Sequence, residues 1–196
     1  MKWSNDSKGS WVQPETGNTA ATCIRIIDLG TQEREYQGKT SLRRQCLIVW
    51  ELDGQVDNDG TPLTISKFYT SSLSEKANLR KDLESWRGRP FTAEELSGFE
   101  AKNLIGKPCL LNLIETQGAK GPRVSVSTIS PLPKGMKAPS NTQNATYVYD
   151  VEAPSLDVWG QLSPGIQEII RRCEEFKNVT TPVSEFSGEK YDDIPF

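Results

Sequence analysis

The sequence predicts a mainly β protein: a small five-stranded barrel with a helical insert, followed by a linker, one helix and an acidic tail. Three observations predict it. Short runs rich in β-branched and aromatic residues, separated by turn residues, recur between Thr22 and Ile129. Within that span the apolar spacing takes a helical period only between Ser74 and Phe99. Beyond Pro131 the chain becomes rich in Pro, Ser and Asn, and then in acids.

The elements follow in order. Residues 1–19 are polar, with Gly and Ser, and read as an N-terminal arm. "TCIRIIDLG" (Thr22–Gly30) is a first strand, taken to stop at Gly30. "LRRQCLIVWEL" (Leu42–Leu52) is a second, long enough to bend, and "LTISKFYTSS" (Leu63–Ser72) a third. Between these last two, "DGQVDNDGTP" is dense in turn residues. In "SEKANLRKDLESWRG", Leu79, Leu83 and Trp86 share a helical face, with Ser74 as N-cap and Gly88 as stop. "FTAEELSGF" is a second short helix, where Thr92 and Glu95 have the spacing of a capping box. "KPCLLNLIETQ" (Lys107–Gln117) and "RVSVSTI" (Arg123–Ile129) form a closing hairpin, the latter alternating dry and wet.

Three strands, a helical insert and a hairpin match the five-stranded OB-fold Greek-key barrel, which also leaves no free edges; the rival is an open α+β sheet. That domain spans residues 20–133 and the remainder is residues 134–196. Within the remainder a helix covers about 163–177. Ser163 is its N-cap and Pro164 its first residue, and Ile166, Ile169, Ile170, Cys173 and Phe176 form its apolar stripe. Such a stripe either docks back on the barrel or binds another chain, a second copy in a homo-oligomer or a different partner.

Composition limits the chemistry. The net charge is −3, but bases and acids balance from Arg25 to Lys137 and the acids accumulate after Asn141. With no histidine, the commonest general base and zinc ligand are missing. The four cysteines form no CxxC pair, and three lie in apolar runs, so reduced thiols in a cytoplasm are expected, with no metal and no cofactor. "MKWSNDSKGSW" lacks the apolar core of a signal peptide, and no stretch has membrane-spanning length. Asp53, Asp57 and Asp59 read as turn chemistry, because the bidentate glutamate of a calcium loop is missing. No metal-binding constellation supports an enzyme such as a nuclease, so no catalytic residue is expected.

The candidate sites are basic and aromatic. The second and third strands carry Arg43, Arg44, Trp50, Lys67, Phe68 and Tyr69. On an OB-fold that face takes single-stranded nucleic acid: cations neutralise phosphates, and rings stack on unpaired bases for about 1–3 kcal/mol each. Arg44 shares a face with Cys46, Ile48 and Trp50, and Arg43 with Gln45, Leu47 and Val49. Lys67 and Tyr69 go with Leu63 and Ile65, which leaves Phe68 as the better stacking candidate. Trp50 and Tyr69 have a competing reading as core. Arg87 and Arg89 clamp phosphates or pair with Glu84 and Glu94. Lys39, Lys120 and Arg123 sit in the two hairpin loops where OB-folds grip nucleic acid.

The chain closes on "DDIPF", which resembles the tip of bacterial single-stranded DNA-binding proteins. In that family a barrel and linker precede an acidic tip that docks on replication, recombination and repair proteins. The resemblance implies that Asp192 and Asp193 meet a basic ridge while Ile194, Pro195 and Phe196 fill an apolar pocket, the terminal carboxylate taking part. The stretch from Ile65 to Glu115, with "WRGRPFT" and "NLIGKPC", is similar instead to small proteins of tailed-phage replication modules, several of them thought to be OB-fold single-strand binders. Together these imply a phage-type protein that coats single-stranded DNA in a bacterial host cytoplasm and recruits enzymes through its tip. The acidic tail would also compete with DNA for the groove. The alternative is an adaptor that recruits host replication or repair proteins without binding DNA.

Overall fold

The computed structural model describes residues 12–36, 38–118, 121–139 and 142–178. Five antiparallel strands carry the fold: β1 (Gly17–Tyr36), β2 (Lys39–Val56), β3 (Pro62–Thr70), β4 (Pro108–Gly118) and β5 (Gly121–Ser130). They are hydrogen-bonded in the order β3-β2-β1-β4-β5. Between β3 and β4 lie α1 (Asn78–Arg87), α2 (Ala93–Ser97) and a 3-10 turn at Ala101–Leu104. The mainly β class and the helical insert stand as the sequence predicts.

The sheet is not closed. β3 and β5 come within 8 Å between Cα atoms but share no ladder among the described residues. Helix α1 lies against both strands and fills the seam. Its Leu83 and Trp86 enter the core, Trp86 Nε1 donates to the Pro108 carbonyl at 2.9 Å, and Ser85 Oγ donates to the Ile129 carbonyl at 2.5 Å. The helix begins at Asn78 rather than after Ser74, whose carbonyl instead closes a turn with the Ala77 N–H at 2.9 Å. It ends at Gly88, in the left-handed region at φ 69°. The Thr92–Glu95 capping box on α2 is formed.

β1 does not stop at Gly30. The ladder to β2 shifts between Asp28 and Gly30, and again between Cys23 and Arg25, so both interruptions are bulges inside one strand. The shift between Cys23 and Arg25 lets Cys23 and Ile26 face the same core although they are three residues apart. That core also holds Ile48, Trp50 and Leu52 of β2, together with Leu111, Leu113, Val126 and Ile129.

A second core lies on the opposite face of β1 and β2, built on Ile24, Ile27, Leu29, Leu47 and Val49. The C-terminal segment covers it. β6 (Tyr147–Tyr149) pairs in parallel with Arg25–Ile27, and α3 (Leu156–Trp159), α4 (Pro164–Arg171) and α5 (Glu174–Asn178) follow. β6 and α3 fall where the sequence reads only as linker. The stripe of Ile166, Ile169, Ile170, Cys173 and Phe176 docks on this second core, and the expected single helix is broken at Arg172–Cys173. Phe176 stacks on Trp159 at 5.6 Å between centroids.

Gly30 joins the two layers. At φ +68° it takes a conformation that disfavours side chains, and an added Cβ would lie 2.6 Å from Cys173 Sγ. Beside it, Glu175 accepts from the Thr31 N–H at 2.6 Å and from the Thr31 hydroxyl at 2.7 Å. Gly30→Ala is therefore expected to lower stability by at least about 1–2 kcal/mol, the cost of a left-handed alanine alone. Chemical denaturation checks this, and an unchanged midpoint would contradict the close approach.

Candidate nucleic-acid interface

The ladder between β2 and β3 decides which side chains face out. Phe68 lies opposite Leu47, and Leu47 belongs to the outer core, so Phe68 projects from the outer face. There it is 50% exposed. Tyr69 lies opposite Cys46, and Ile65 opposite Trp50, on the inner face. Both Trp50 and Tyr69 are buried in the core, so neither is available to stack on a base. Burial and the neighbouring Asp82 push the Tyr69 phenol well above its ordinary range, and its hydroxyl donates to Asp82 at 2.8 Å.

Several predicted cations are engaged inside the protein. Arg44 points inward to Asp28 at 2.6 Å and also reaches Glu152 at 2.6 Å. The hydrogen bond to Asp28 raises its pKa further, and its role is to tie β1 and β2 to the C-terminal layer. Arg87 and Arg89 converge on Glu95, not on Glu84 or Glu94. The Arg89 bond, the Thr92 N–H and Arg87 bring the Glu95 carboxyl down to about 2. Arg87 also lies 4.3 Å over the Phe91 ring. These two arginines hold α2 against α1. Lys67 is shared: it pairs with Asp82 at 2.8 Å but also lines a cavity beside Phe68 at β3.

Lys39 and Arg123 are exposed, at the β1–β2 and β4–β5 hairpins. β1 pairs with β4 through Gly17–Thr22 and reaches the β1–β2 turn at Tyr36, so the two hairpin tips belong to opposite ends of β1. Lys120 and the tip residues Asp192, Asp193, Ile194, Pro195 and Phe196 lie outside the described residues. The Asp57 carboxylate accepts from the Asp59 and Thr61 N–H groups, both at 2.9 Å, which is turn chemistry.

What the fold brings together is a cationic surface on both sides of Phe68. On one side a cavity of about 400 Å³ is lined by Arg43, Lys67 and Lys76. No carboxylate lines it, and Arg43 and Lys76 have no ion-pair partner among the described residues. On the other side a cavity of about 650 Å³ is lined by Arg34, Arg171, Arg172 and Lys177 against one carboxylate, Glu33. Arg34 donates to Gln45 Oε1 at 2.8 Å, which holds its guanidinium over β2. Arg172 pairs with Glu168 at 2.7 Å and Lys177 with Glu174 at 2.8 Å. Such exposed pairs contribute only about 0–1 kcal/mol and yield readily to a phosphate.

Sequence reading missed Arg34, Lys76, Arg171, Arg172 and Lys177. Arg34 sat in a stretch taken for a loop. Arg171 and Arg172 fall off the apolar stripe, but nothing in the sequence says which strand they lie beside, or that Arg171 lies 5.4 Å over the Trp159 ring. Compared with known proteins, the chain matches no protein-family model and no curated sequence.

The segment carrying Arg171, Arg172 and Lys177 is tied to β1 through Glu175. Burial pushes its carboxyl up, but the two Thr31 hydrogen bonds outweigh this and leave it below the ordinary range. A depressed folded-state pKa means that this contribution is present above the ordinary glutamate value and is lost as pH falls through the lowered one. The Thr31 amide is therefore expected to lose exchange protection as pH falls below about 4.3, the ordinary glutamate value. An amide-exchange titration checks this. Protection already lost above about 4.3, or retained in Glu175→Ala, would count against the clamp.

Proposed function

We propose that this is an OB-fold single-stranded DNA-binding protein of a phage replication or recombination module, acting without catalysis. Its strand order, with a helix between the third and fourth strands lying across the open seam, supports that reading. The observation that carries the reading is Phe68: a half-exposed ring on the outer face of β3, flanked by cation-lined cavities, in a chain of net charge −3. Cations beside an exposed ring take phosphates and unpaired bases with little sequence preference. Duplex DNA keeps its bases stacked and offers the ring nothing.

The tip Asp192–Phe196 serves a separate purpose in this reading: it recruits replication, recombination or repair proteins. The acids of residues 185–193 come later in the chain than α5, whose Lys177 lines the groove, and in this reading they compete with DNA for it. A second reading, an adaptor that recruits such proteins without touching DNA, draws on the same tip and on the internal pairing of Arg44, Arg87 and Arg89.

Titration of labelled oligo-dT separates the two. The full chain is expected to prefer oligo-dT over duplex, with log K falling against log salt at roughly −3 to −4 if four to six phosphates are engaged. Phe68→Ala is expected to weaken binding about 5- to 150-fold, the loss of one stacking partner. No preference for single strands, or a flat salt response, would overturn the reading and leave the adaptor. Deleting Asp192–Phe196 is expected to abolish capture of a purified host replication or repair enzyme while leaving oligo-dT binding as tight or tighter. Capture that survives the deletion removes the tip's assigned role.

A further inference from the structure

We propose that the C-terminal layer is one wall of the nucleic-acid groove, so that a single strand crosses β3 with a base on each side of Phe68. The inference rests on the single-strand-binding reading above and goes beyond it, because the wall comes from a segment that reads in sequence as the acidic, protein-recruiting half. The ring of Phe68 lines both cavities, and both volumes fall within the roughly 300–1,000 Å³ typical of small-ligand pockets. A ring between two such pockets offers stacking surface to a base in each, and each pocket has cations for the phosphate that accompanies it. In the larger pocket three of these, Arg171, Arg172 and Lys177, come from α4, the break after it and α5 rather than from the sheet.

The wall is positioned, not incidental. Cys173 packs against Gly30, where no Cβ fits, and Glu175 holds the Thr31 N–H and hydroxyl. These contacts fall between Arg172 and Lys177 in the chain and fix both beside Gln45 and Phe68. An acidic peptide would also find cations here. A nucleic acid is favoured because the ring stands among Ser66 and Thr70 on a polar strand face rather than in an apolar slot suited to a peptide side chain.

The test uses the full chain, oligo-dT and the double variant Arg172→Glu/Lys177→Glu. Both side chains are more than half exposed, and their ion pairs are to Glu168 and Glu174 of the same segment, so the clamp at Thr31 is left intact. The variant is expected to bind oligo-dT at least about tenfold more weakly at low salt, with a salt slope shallower by roughly 1.4, two phosphate contacts at 0.7 each. In the unaltered protein, bound oligo-dT is expected to slow amide exchange across residues 164–178. If the unaltered protein binds oligo-dT and Phe68→Ala weakens it, but the double variant stays within about twofold and exchange in 164–178 is unaffected, the wall is wrong and the function reading survives. A chain that ignores oligo-dT sinks both. Poly-glutamate displacing oligo-dT equally well from the unaltered protein and from Phe68→Ala assigns the groove to acidic peptides instead.

Discussion

The structure depends on the burial of the β1–β2 pair on both faces. A strand in a single-layer sheet needs one dry face. These two have dry side chains on both, from Ile24, Ile27, Leu47 and Val49 outward and from Cys23, Ile48, Trp50 and Leu52 inward. Leaving the outer set in water would forfeit roughly 1.5–3 kcal/mol for each large side chain. The chain meets this by folding its C-terminal segment back over them. The bulges in β1 follow from the same constraint, because strict alternation cannot serve two cores with the residues available, and each extra residue resets which face the next side chain meets.

That covering layer also creates the site. It buries the outer face of β1 and β2 along their middle but stops short of β3, which leaves Phe68 uncovered at its margin. The residues beyond the margin are the cations of α4 and α5 on one side and of β2, β3 and the approach to α1 on the other. A chain of net negative charge thereby presents a locally positive surface. Several of its acids are engaged in internal pairs, as at Asp28, Asp82 and Glu95, and others lie after α5. Net charge says little about such a surface, because screening confines each charge's influence to about 10 Å or less at ordinary salt.

Much of the fold was legible. The five strands, the insert, the Thr92–Glu95 box and the Gly88 stop each depend on contacts within a few residues, which local sequence encodes. The errors came where distant partners decide. Gly30 reads as a terminator because glycine breaks strands. It is a bulge because Cys173, far along the chain, needs the space of its missing Cβ. Tyr147–Tyr149 is too short to announce a strand and exists only as a parallel addition to β1. Ser74 offers a cap that the helix does not use, since α1 starts where it can reach the seam between β3 and β5.

For the site the division is sharper. By itself the sequence determined the residue types of the candidate site and the opposition of Phe68 to Lys67 and Tyr69, because the period of a strand is two whatever it packs against. Only the tertiary structure decided which of those faces is wet. Trp50 and Tyr69 went inside, Arg44, Arg87 and Arg89 were drawn into ion pairs, and Arg171, Arg172 and Lys177 were carried from an acidic segment to the edge of β3. The reason is that inside and outside are properties of layers, and a strand cannot carry in its own residues the layer that will cover it.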